Sequence, residues 1–174
     1  IPTDLPPEVE ERAERYVENA IKALGINFGS VNMDMLITSE GKIHIIDIGA
    51  RMGGNMIGPC VIPYGTGVDY MANMIRNAVG DEKNFGTSAH GCVATRLLAF
   101  KDGVVARMPD FDALEKDYGV EIYHHLELGQ KVNEYHTNLD GCGYIVAKAD
   151  DVETAIQKAE TVLNIIKETI FCTD

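Results

Sequence analysis

Tryptophan is absent from this sequence, and aromatic residues as a whole make up only 7% of it. Basic residues are also scarce, with 15 lysines and arginines against 27 acidic residues and a formal net charge of −12. Because sequence-independent nucleic-acid binding depends on cations that neutralise phosphates, this charge argues against a nucleic-acid partner. No apolar run approaches the roughly 20 residues that a membrane-spanning helix needs. We therefore expect a globular protein that neither crosses a membrane nor binds nucleic acid.

Closely spaced cysteines are missing as well. A zinc site or a thioredoxin-like motif usually contains a Cys-x-x-Cys pair. The four cysteines are too widely spaced to form such a pair: Cys60, Cys92, Cys142 and Cys172. Reduced thiols in the cytoplasm are the simplest interpretation. Adjacent strand residues face opposite sides, so His124 and His125 do not form a metal site either, and we expect both to be structural.

The stretch 31–55, VNMDMLITSEGKIHIIDIGARMGGN, carries the chemistry. Two short apolar, β-branched runs separated by Ser-Glu-Gly are typical of a β-hairpin. With a two-residue loop, Glu40-Gly41, Asp34 lies directly opposite Asp47. Like charges on directly opposed residues, about 4.5–5.5 Å apart at Cβ, destabilise a strand pair. A divalent cation such as Mg²⁺ relieves this repulsion, because it prefers carboxylate oxygens.

The length of the hairpin loop decides this prediction. A three-residue loop, 39–41, pairs Thr38 with Lys42 and directs the two aspartates to opposite faces of the ribbon. In the two-residue register, His44 points away from the aspartates. The metal hypothesis therefore depends on the shorter loop.

An anion-binding arginine and an open glycine loop follow the second strand, in the run IGARMGGN, residues 48–55. Arg51 offers a planar fork of donors suited to carboxylate or phosphate groups. Glycines let the backbone turn and approach a ligand closely. Together with the two aspartates, this run indicates handling of a nucleotide phosphate and an acidic substrate.

These residues resemble the second half of the ATP-grasp fold, in which acids on neighbouring strands hold Mg²⁺ against nucleotide phosphates. By position, Asp34 and Asp47 match the metal acids, and Arg51 matches the arginine near the transferred phosphate. Leu36 matches an apolar residue that packs against adenine. Gly49 departs from the commoner asparagine, which leaves the third protein ligand of the metal open.

The fuller string IDIGARMGGNMI is most similar to the branch of the family that contains the L-amino acid ligases, where glycine at this place is familiar. The resemblance implies ATP and Mg²⁺, with Mn²⁺ as an alternative ion, and substrate contacts from Arg51, Gly53, Gly54 and Asn55. It implies a carboxylate–amine ligase that works through an acyl phosphate. Its partners are then a small carboxylate and an amine.

The flanking sequence supplies the frame. Periodicity predicts helices over 5–24, 68–79, 109–118 and 152–171, a loop with a turn of helix over 56–67, and strands over 92–100, 104–108, 119–128 and 144–149. Lys101-Asp102-Gly103 predicts a hairpin between the first two of these strands. Asp150 with Glu153 is typical of a helix cap.

The polar stretch 81–91 is the expected boundary between two lobes, 1–87 and 88–174. The predicted class is α+β. It consists of the second half of an ATP-grasp fold, an antiparallel sheet with helices on one face, followed by a small β-rich lobe with a closing helix.

The resemblance also implies an N-terminal half, in the same or a separate chain, and we expect the 174 residues to be inactive without it. A homodimer is a further candidate assembly. The alternatives are a non-catalytic metal-binding or scaffold module, and an ATP-grasp enzyme of the carbamoyl-phosphate-synthase or biotin-carboxylase type.

Overall fold

The computed structural model describes residue 3 and the ranges 5–88 and 91–171 of the chain. Its first element is helix α1, Pro7–Ala23. Proline suits the first helical position because its missing N–H would have no partner there. Acidic residues occupy the first turn and Lys22 the last, as the helix dipole favours. The helix predicted for 5–24 is confirmed.

A β-hairpin follows, formed by β1, Asn32–Ile37, and β2, Ile43–Gly49. Helix α1 is tied to its turn, because Arg12 Nη2 donates a hydrogen bond of 2.8 Å to the Gly41 carbonyl. One face of the hairpin and α1 together line a shallow apolar hollow, whose residues include Ala13, Val17, Met35 and Ile37. The opposite face of the hairpin is left exposed.

Two helices replace most of the loop expected over 56–67: a π-helix, Ile57–Val61, and α2, Ile62–Thr66. Helix α3, Tyr70–Val79, follows them. The prediction of a loop with a single turn over 56–67 is therefore wrong. Pro63 lies in the first turn of α2, where a missing N–H is tolerated. The helix predicted for 68–79 is confirmed, and Gly80 ends it in the left-handed conformation at φ 81°.

The polar stretch after α3 is anchored by the fully buried side chain of Asn73. Its Nδ2 donates to the Asn84 carbonyl at 2.6 Å, and its Oδ1 accepts from the Asn84 N–H at 2.8 Å. The boundary expected within 81–91 runs through this anchored stretch. Residues 89 and 90 lie outside the described part, and the boundary stays a prediction.

The second half of the chain forms a three-stranded antiparallel sheet with the order β3, β7, β5. Its strands are β3, Cys92–Leu97, β5, Val120–His124, and β7, Gly143–Ala149. Helix α4, Phe111–Tyr118, precedes β5, and helix α5, Val152–Ile170, closes the chain. The cap predicted at Asp150 is wrong, because Asp151 accepts the hydrogen bond from the Thr154 N–H at 2.8 Å.

Both faces of this sheet are covered. On one face, β7 packs against α5 in a core that includes Ile145, Ala147, Val162, Ile166 and Ile170. On the other face, Val93 and Val146 contact the segment 56–64 around the buried Cys60. The segment that continues the glycine loop is therefore held on the outer face of the sheet.

The hairpin predicted around Lys101-Asp102-Gly103 is wrong. Strand β4, Gly103–Val104, pairs with β6, Lys131–Val132, and all six residues of β3 pair with β7. Strands β4 and β6 form a separate two-stranded sheet, so the chain has left the larger sheet before Gly103. A Cβ at Gly103 would lie 2.6 Å from a ring carbon of Phe171, so glycine permits this close approach.

Three cysteines, Cys60, Cys92 and Cys142, are free, while Cys172 lies outside the described residues. None of the helices within the described ranges is both long and apolar enough to cross a membrane. The antiparallel sheets and the closing helix confirm the predicted α+β class.

Candidate functional site

Asp34 and Asp47 are register partners across the hairpin, as the sequence predicts. The route to that pairing differs from the prediction. Thr38 N donates to the Lys42 carbonyl at 2.9 Å, so the loop has three residues and the two-residue loop is wrong. Such a loop alone would place the aspartates on opposite faces.

A β-bulge restores the pairing. Met35 pairs with Ile45, and Asp34 pairs with Asp47, which leaves Ile46 as an extra residue between them. A bulge places two residues of one strand against one residue of the other, so it shifts the register by one. The odd loop and the bulge thus cancel, and both aspartates lie on the exposed face.

No hydrogen bond or ion pair engages the carboxylate of either aspartate within the described part of the chain. Two opposed carboxylates without a partner repel each other. Mg²⁺ binds through one or two carboxylates and leaves its other positions to water and phosphate, so this exposed pair fits such an ion. The described ranges hold no cluster of three or more acidic, histidine or cysteine side chains that could enclose a metal.

Leu36 lies on the same face as the aspartates, two residues after Asp34, and 54% of its surface is exposed. His44 is its register partner and is therefore on that face too. The prediction that His44 points away from the aspartates is wrong, because it rested on the two-residue loop. An exposed apolar side chain beside a polar pair suits contact with the flat face of a base.

Arg51 folds back over the end of β2. Its Nη1 donates to the Met52 carbonyl at 2.8 Å, and its backbone N–H bonds the Gly49 carbonyl at 2.8 Å. A Cβ at Gly49 would lie 3.3 Å from Arg51 Cγ, so the glycine makes room for the arginine stem. The guanidinium is exposed and forms no ion pair within the described residues, which leaves donors available for an anion.

The end of the glycine loop, residues 53–56, has a constrained backbone. A Cβ at Gly53 would lie 2.8 Å from Asn32 Oδ1, while Gly54 has open space. Asn55 and Met56 both adopt left-handed backbone conformations, at φ 53° and 61°, which non-glycine residues rarely take. Such conformations persist only where surrounding contacts enforce them.

One of those contacts comes from the second half of the chain. The Tyr144 hydroxyl donates to Asn55 Oδ1 at 2.9 Å. Tyr144 is the second residue of β7, 89 residues away from Asn55 in sequence. Sequence reasoning missed this residue because the signal is a long-range contact. The interaction fixes one side of a carboxamide that was predicted to contact substrate.

A second set of missed residues lies next to this loop. The Glu121 carboxylate accepts hydrogen bonds from the hydroxyls of Tyr64 at 2.8 Å and Tyr123 at 2.7 Å, and from Lys148 Nζ at 2.9 Å. Lys148 Nζ also lies 3.2 Å from the centre of the Tyr64 ring, in a cation–π contact. We call Tyr64, Glu121, Tyr123 and Lys148 the Glu121 cluster. It joins α2 to the outer face of the sheet.

Hydrogen bonding within the Glu121 cluster changes the acidity of its members. Burial opposes ionisation of Glu121, but hydrogen bonds from Tyr123, Lys148 and Tyr64 outweigh it and lower the pKa of the carboxyl. The hydrogen bond to Glu121 also raises the pKa of Tyr123 far above its ordinary value, followed by the contact with Cys60. Burial lowers the pKa of Lys148, but the carboxylate beside it raises that pKa overall. The cluster is therefore ionised as a carboxylate–ammonium pair at neutral pH.

Comparison with known proteins gives a family match in the second half of the chain. Residues 96–169 match the family model described as L-amino acid ligase C-terminal domain 2. Among curated proteins, the uncharacterised protein y4rH of Sinorhizobium fredii is 27% identical over 163 residues. That match covers 91% of this chain and 34% of the relative, so the chain spans about a third of the relative's length.

Solved structures match nearly the whole chain. L-amino acid ligase from Bacillus licheniformis gives a TM-score of 0.82 at 18% identity, covering 99% of this chain and 43% of that one. Phosphoribosylglycinamide synthetase from Anaerococcus prevotii gives 0.80 at 21% identity, with 99% and 44% covered. N5-carboxyaminoimidazole ribonucleotide synthetase from Thermotoga maritima gives 0.71 at 18% identity, with 95% and 44% covered. At these identities the likeness shows the fold.

Proposed function

We propose that the chain is the C-terminal portion of an ATP-grasp ligase with a second lobe of the L-amino acid ligase type, and that it forms part of an ATP- and Mg²⁺-dependent carboxylate–amine ligase. The observation that carries the proposal is the pairing of Asp34 with Asp47 on an exposed face. Two unpartnered carboxylates opposite each other repel and destabilise the hairpin, and a bound cation would remove that repulsion.

The two aspartates would hold the divalent cation, Mg²⁺ or Mn²⁺, through carboxylate oxygens. A cation bound there neutralises negative charge on the phosphates of ATP, which is the main electrostatic need of phosphoryl transfer. Leu36, exposed on the same face, would pack against the adenine ring. In this proposal the polar end of the face contacts the phosphates and the apolar end contacts the base.

The loop after β2 would hold the substrate carboxylate. The Arg51 guanidinium has free donors that match a carboxylate or an acyl phosphate in two-point geometry. Gly53 and Gly54 let the backbone approach the substrate. The Asn55 carboxamide, fixed by Tyr144, offers a further polar contact.

The proposed reaction has two steps. A carboxylate oxygen of the substrate attacks the γ-phosphorus of ATP, and ADP leaves with the electrons of the broken bond. The amine nitrogen then attacks the carbonyl carbon of the acyl phosphate, loses a proton and expels inorganic phosphate to give an amide. Arg51 would stabilise the negative charge of the acyl phosphate throughout, and no covalent bond to the protein is needed.

We also propose that the chain is inactive by itself. It would act with an N-terminal half, in the same polypeptide or a separate one, with the boundary between its own two lobes near residue 87. The solved structures that it matches are more than twice its length, since it covers 36–46% of them. ATP-dependent amide formation by the isolated 174 residues would contradict this part.

Binding of Mn²⁺ to the isolated chain tests the metal site. We expect Asp34→Asn and Asp47→Asn each to weaken Mn²⁺ affinity by about tenfold or more, because each removes one of two carboxylate ligands. The free ion can be measured by its electron paramagnetic resonance signal. Glu14→Gln, an exposed carboxylate on α1, is the matched control for net charge. Equal affinities in all three variants would refute the site.

Arg51→Ala separates the ligase from a metal-binding scaffold. In the chain supplied with an N-terminal half, we expect the variant to lose at least about a hundredfold in ATP-dependent amide formation, the scale of losing one transition-state donor. Mn²⁺ affinity and unfolding should be unchanged, because Arg51 contacts only its own loop. Full activity in Arg51→Ala would overturn the role assigned to Arg51, and Mn²⁺ binding without amide formation in the wild type would favour a scaffold.

A further inference from the structure

The side chain of Asn32 lies at the edge of the proposed metal site. Asn32 precedes Asp34 by two residues on β1, so the two share the exposed face of the hairpin. Its register partner is Gly49, two residues after Asp47. Asn32, Asp34 and Asp47 therefore form one continuous polar group on that face. The fourth position of the group is Gly49, which has no side chain.

The Asn32 carboxamide has no hydrogen-bond partner among the residues that the structure describes, although it is half-buried. No buried side-chain nitrogen or oxygen within the described ranges lacks a hydrogen-bond partner, so the polar atoms of this amide reach solvent and can exchange water for a ligand. Its oxygen lies against Gly53, where any Cβ would come within 2.8 Å. The glycine loop thus lies beside the carboxamide oxygen without bonding it.

We propose that the Asn32 carboxamide oxygen is the third protein ligand of the divalent cation held by Asp34 and Asp47. The inference rests on the proposed function. Hard cations accept side-chain amide oxygens beside carboxylates. Residues two apart on a strand are separated by about 6.8 Å at Cα, a span that side chains reaching one ion can bridge.

Gly49 explains why the ligand comes from β1. A glycine offers no oxygen beyond its carbonyl, and that carbonyl already accepts the Arg51 N–H. Asn32 is the residue directly across the ribbon from Gly49. Asn32 therefore supplies from the first strand what the second strand lacks.

Two substitutions of Asn32, read out by Mn²⁺ binding to the isolated chain, test the inference. Asn32→Ala removes the oxygen and should weaken affinity by about tenfold or more, since even outer-shell partners of metal sites cost about 10–100-fold. Asn32→Asp keeps the shape, adds a carboxylate oxygen to the same place and should tighten binding. Urea unfolding of both variants shows whether the hairpin is intact.

The controls separate this inference from the proposed function. If Asp34→Asn weakens binding but Asn32→Ala and Asn32→Asp leave it as it is, the amide only packs against Gly53 and the inference is overturned. If the wild-type chain shows no more Mn²⁺ binding than Asp34→Asn, the metal site itself fails. Weaker binding in Asn32→Ala with tighter binding in Asn32→Asp supports the third ligand.

Discussion

Single carboxylates have different roles in this protein according to their neighbours. Asp34 and Asp47 face each other without donors, whereas Glu121 accepts hydrogen bonds from two hydroxyls and an ammonium group. A carboxylate that accepts several hydrogen bonds mainly stabilises the fold, because donors already surround its charge. An unpartnered pair has its charge available for a ligand. This contrast separates the Glu121 cluster from the proposed metal site.

Glu121→Gln tests the structural role of the Glu121 cluster. We expect a loss of about 1 kcal/mol in the free energy of unfolding, since charged hydrogen bonds contribute about 1.5–3 kcal/mol and partial exposure reduces that value. Urea denaturation at pH 7 measures it. Glu127→Gln, an exposed carboxylate outside the helices, is the charge control and should change little.

The same carboxylate predicts a pH dependence. Its pKa is lowered in the folded protein from the ordinary 4.5, so its stabilisation is present above that value and is lost as pH falls through the folded pKa. The difference in unfolding free energy between wild type and Glu121→Gln should therefore shrink below about pH 4. A difference that stays constant down to about pH 3 would contradict the lowered pKa.

At the scale of elements, compensating irregularities determine which residues meet. The three-residue loop and the bulge at Ile46 each shift the hairpin by one residue, and together they leave Asp34 opposite Asp47. The start of α5 shows the same sensitivity, since the cap lies at Asp151 instead of its neighbour Asp150. A shift of one residue changes which side chain faces the helix end.

Alanine substitutions at these neighbours test the cap. Asp151→Ala should lower the urea midpoint, because the Thr154 N–H and hydroxyl lose their acceptor. Asp150→Ala is the matched control and should leave the midpoint nearly unchanged. Equal midpoints in the two variants would be inconsistent with the cap.

The hydrogen bonds from Thr154 lower the pKa of Asp151 below the ordinary 3.8, so the cap is effective above that value and weakens as pH falls through the folded pKa.

At the scale of the whole chain, burial is uneven. Most fully buried side chains, including Ile145, Val146, Val162 and Ile166, belong to the sheet and α5. The hairpin and α1 contribute only Ala13 and Ile43 to the set of buried apolar residues. Exposed apolar side chains on the hairpin include Ile46, at 65%. Helix α1 and the hairpin therefore contribute less packing energy than the sheet and α5.

Hydrogen exchange should reveal this asymmetry. Amides of α1 and β1 should exchange by local opening, well before those of β7 and α5, because regions with few buried contacts open at low free-energy cost. Both sets can be followed in one sample by mass spectrometry or NMR. Equal protection across the four elements would show instead that the chain unfolds as one unit.

Local elements could be predicted from the sequence, whereas long-range strand pairings could not. Helix α1, the hairpin, α5 and the approximate ends of α3 and α4 could be predicted, because apolar periodicity and end signals act within a few residues. The face-to-face aspartates were predicted correctly from the wrong loop length. Pairing of β3 with β7, and of β4 with β6, could not be predicted, since it depends on partners more than 25 residues away.

The sequence by itself determined the local elements and the set of chemical groups: two strand aspartates, an arginine and a glycine loop. Only the tertiary structure decided that a bulge brings the aspartates together, that Tyr144 holds Asn55, and that Gly53 lies against the Asn32 carboxamide. Local backbone preferences are written in neighbouring residues. Register and long-range contacts instead depend on how separate segments share one core, which no short window of sequence contains.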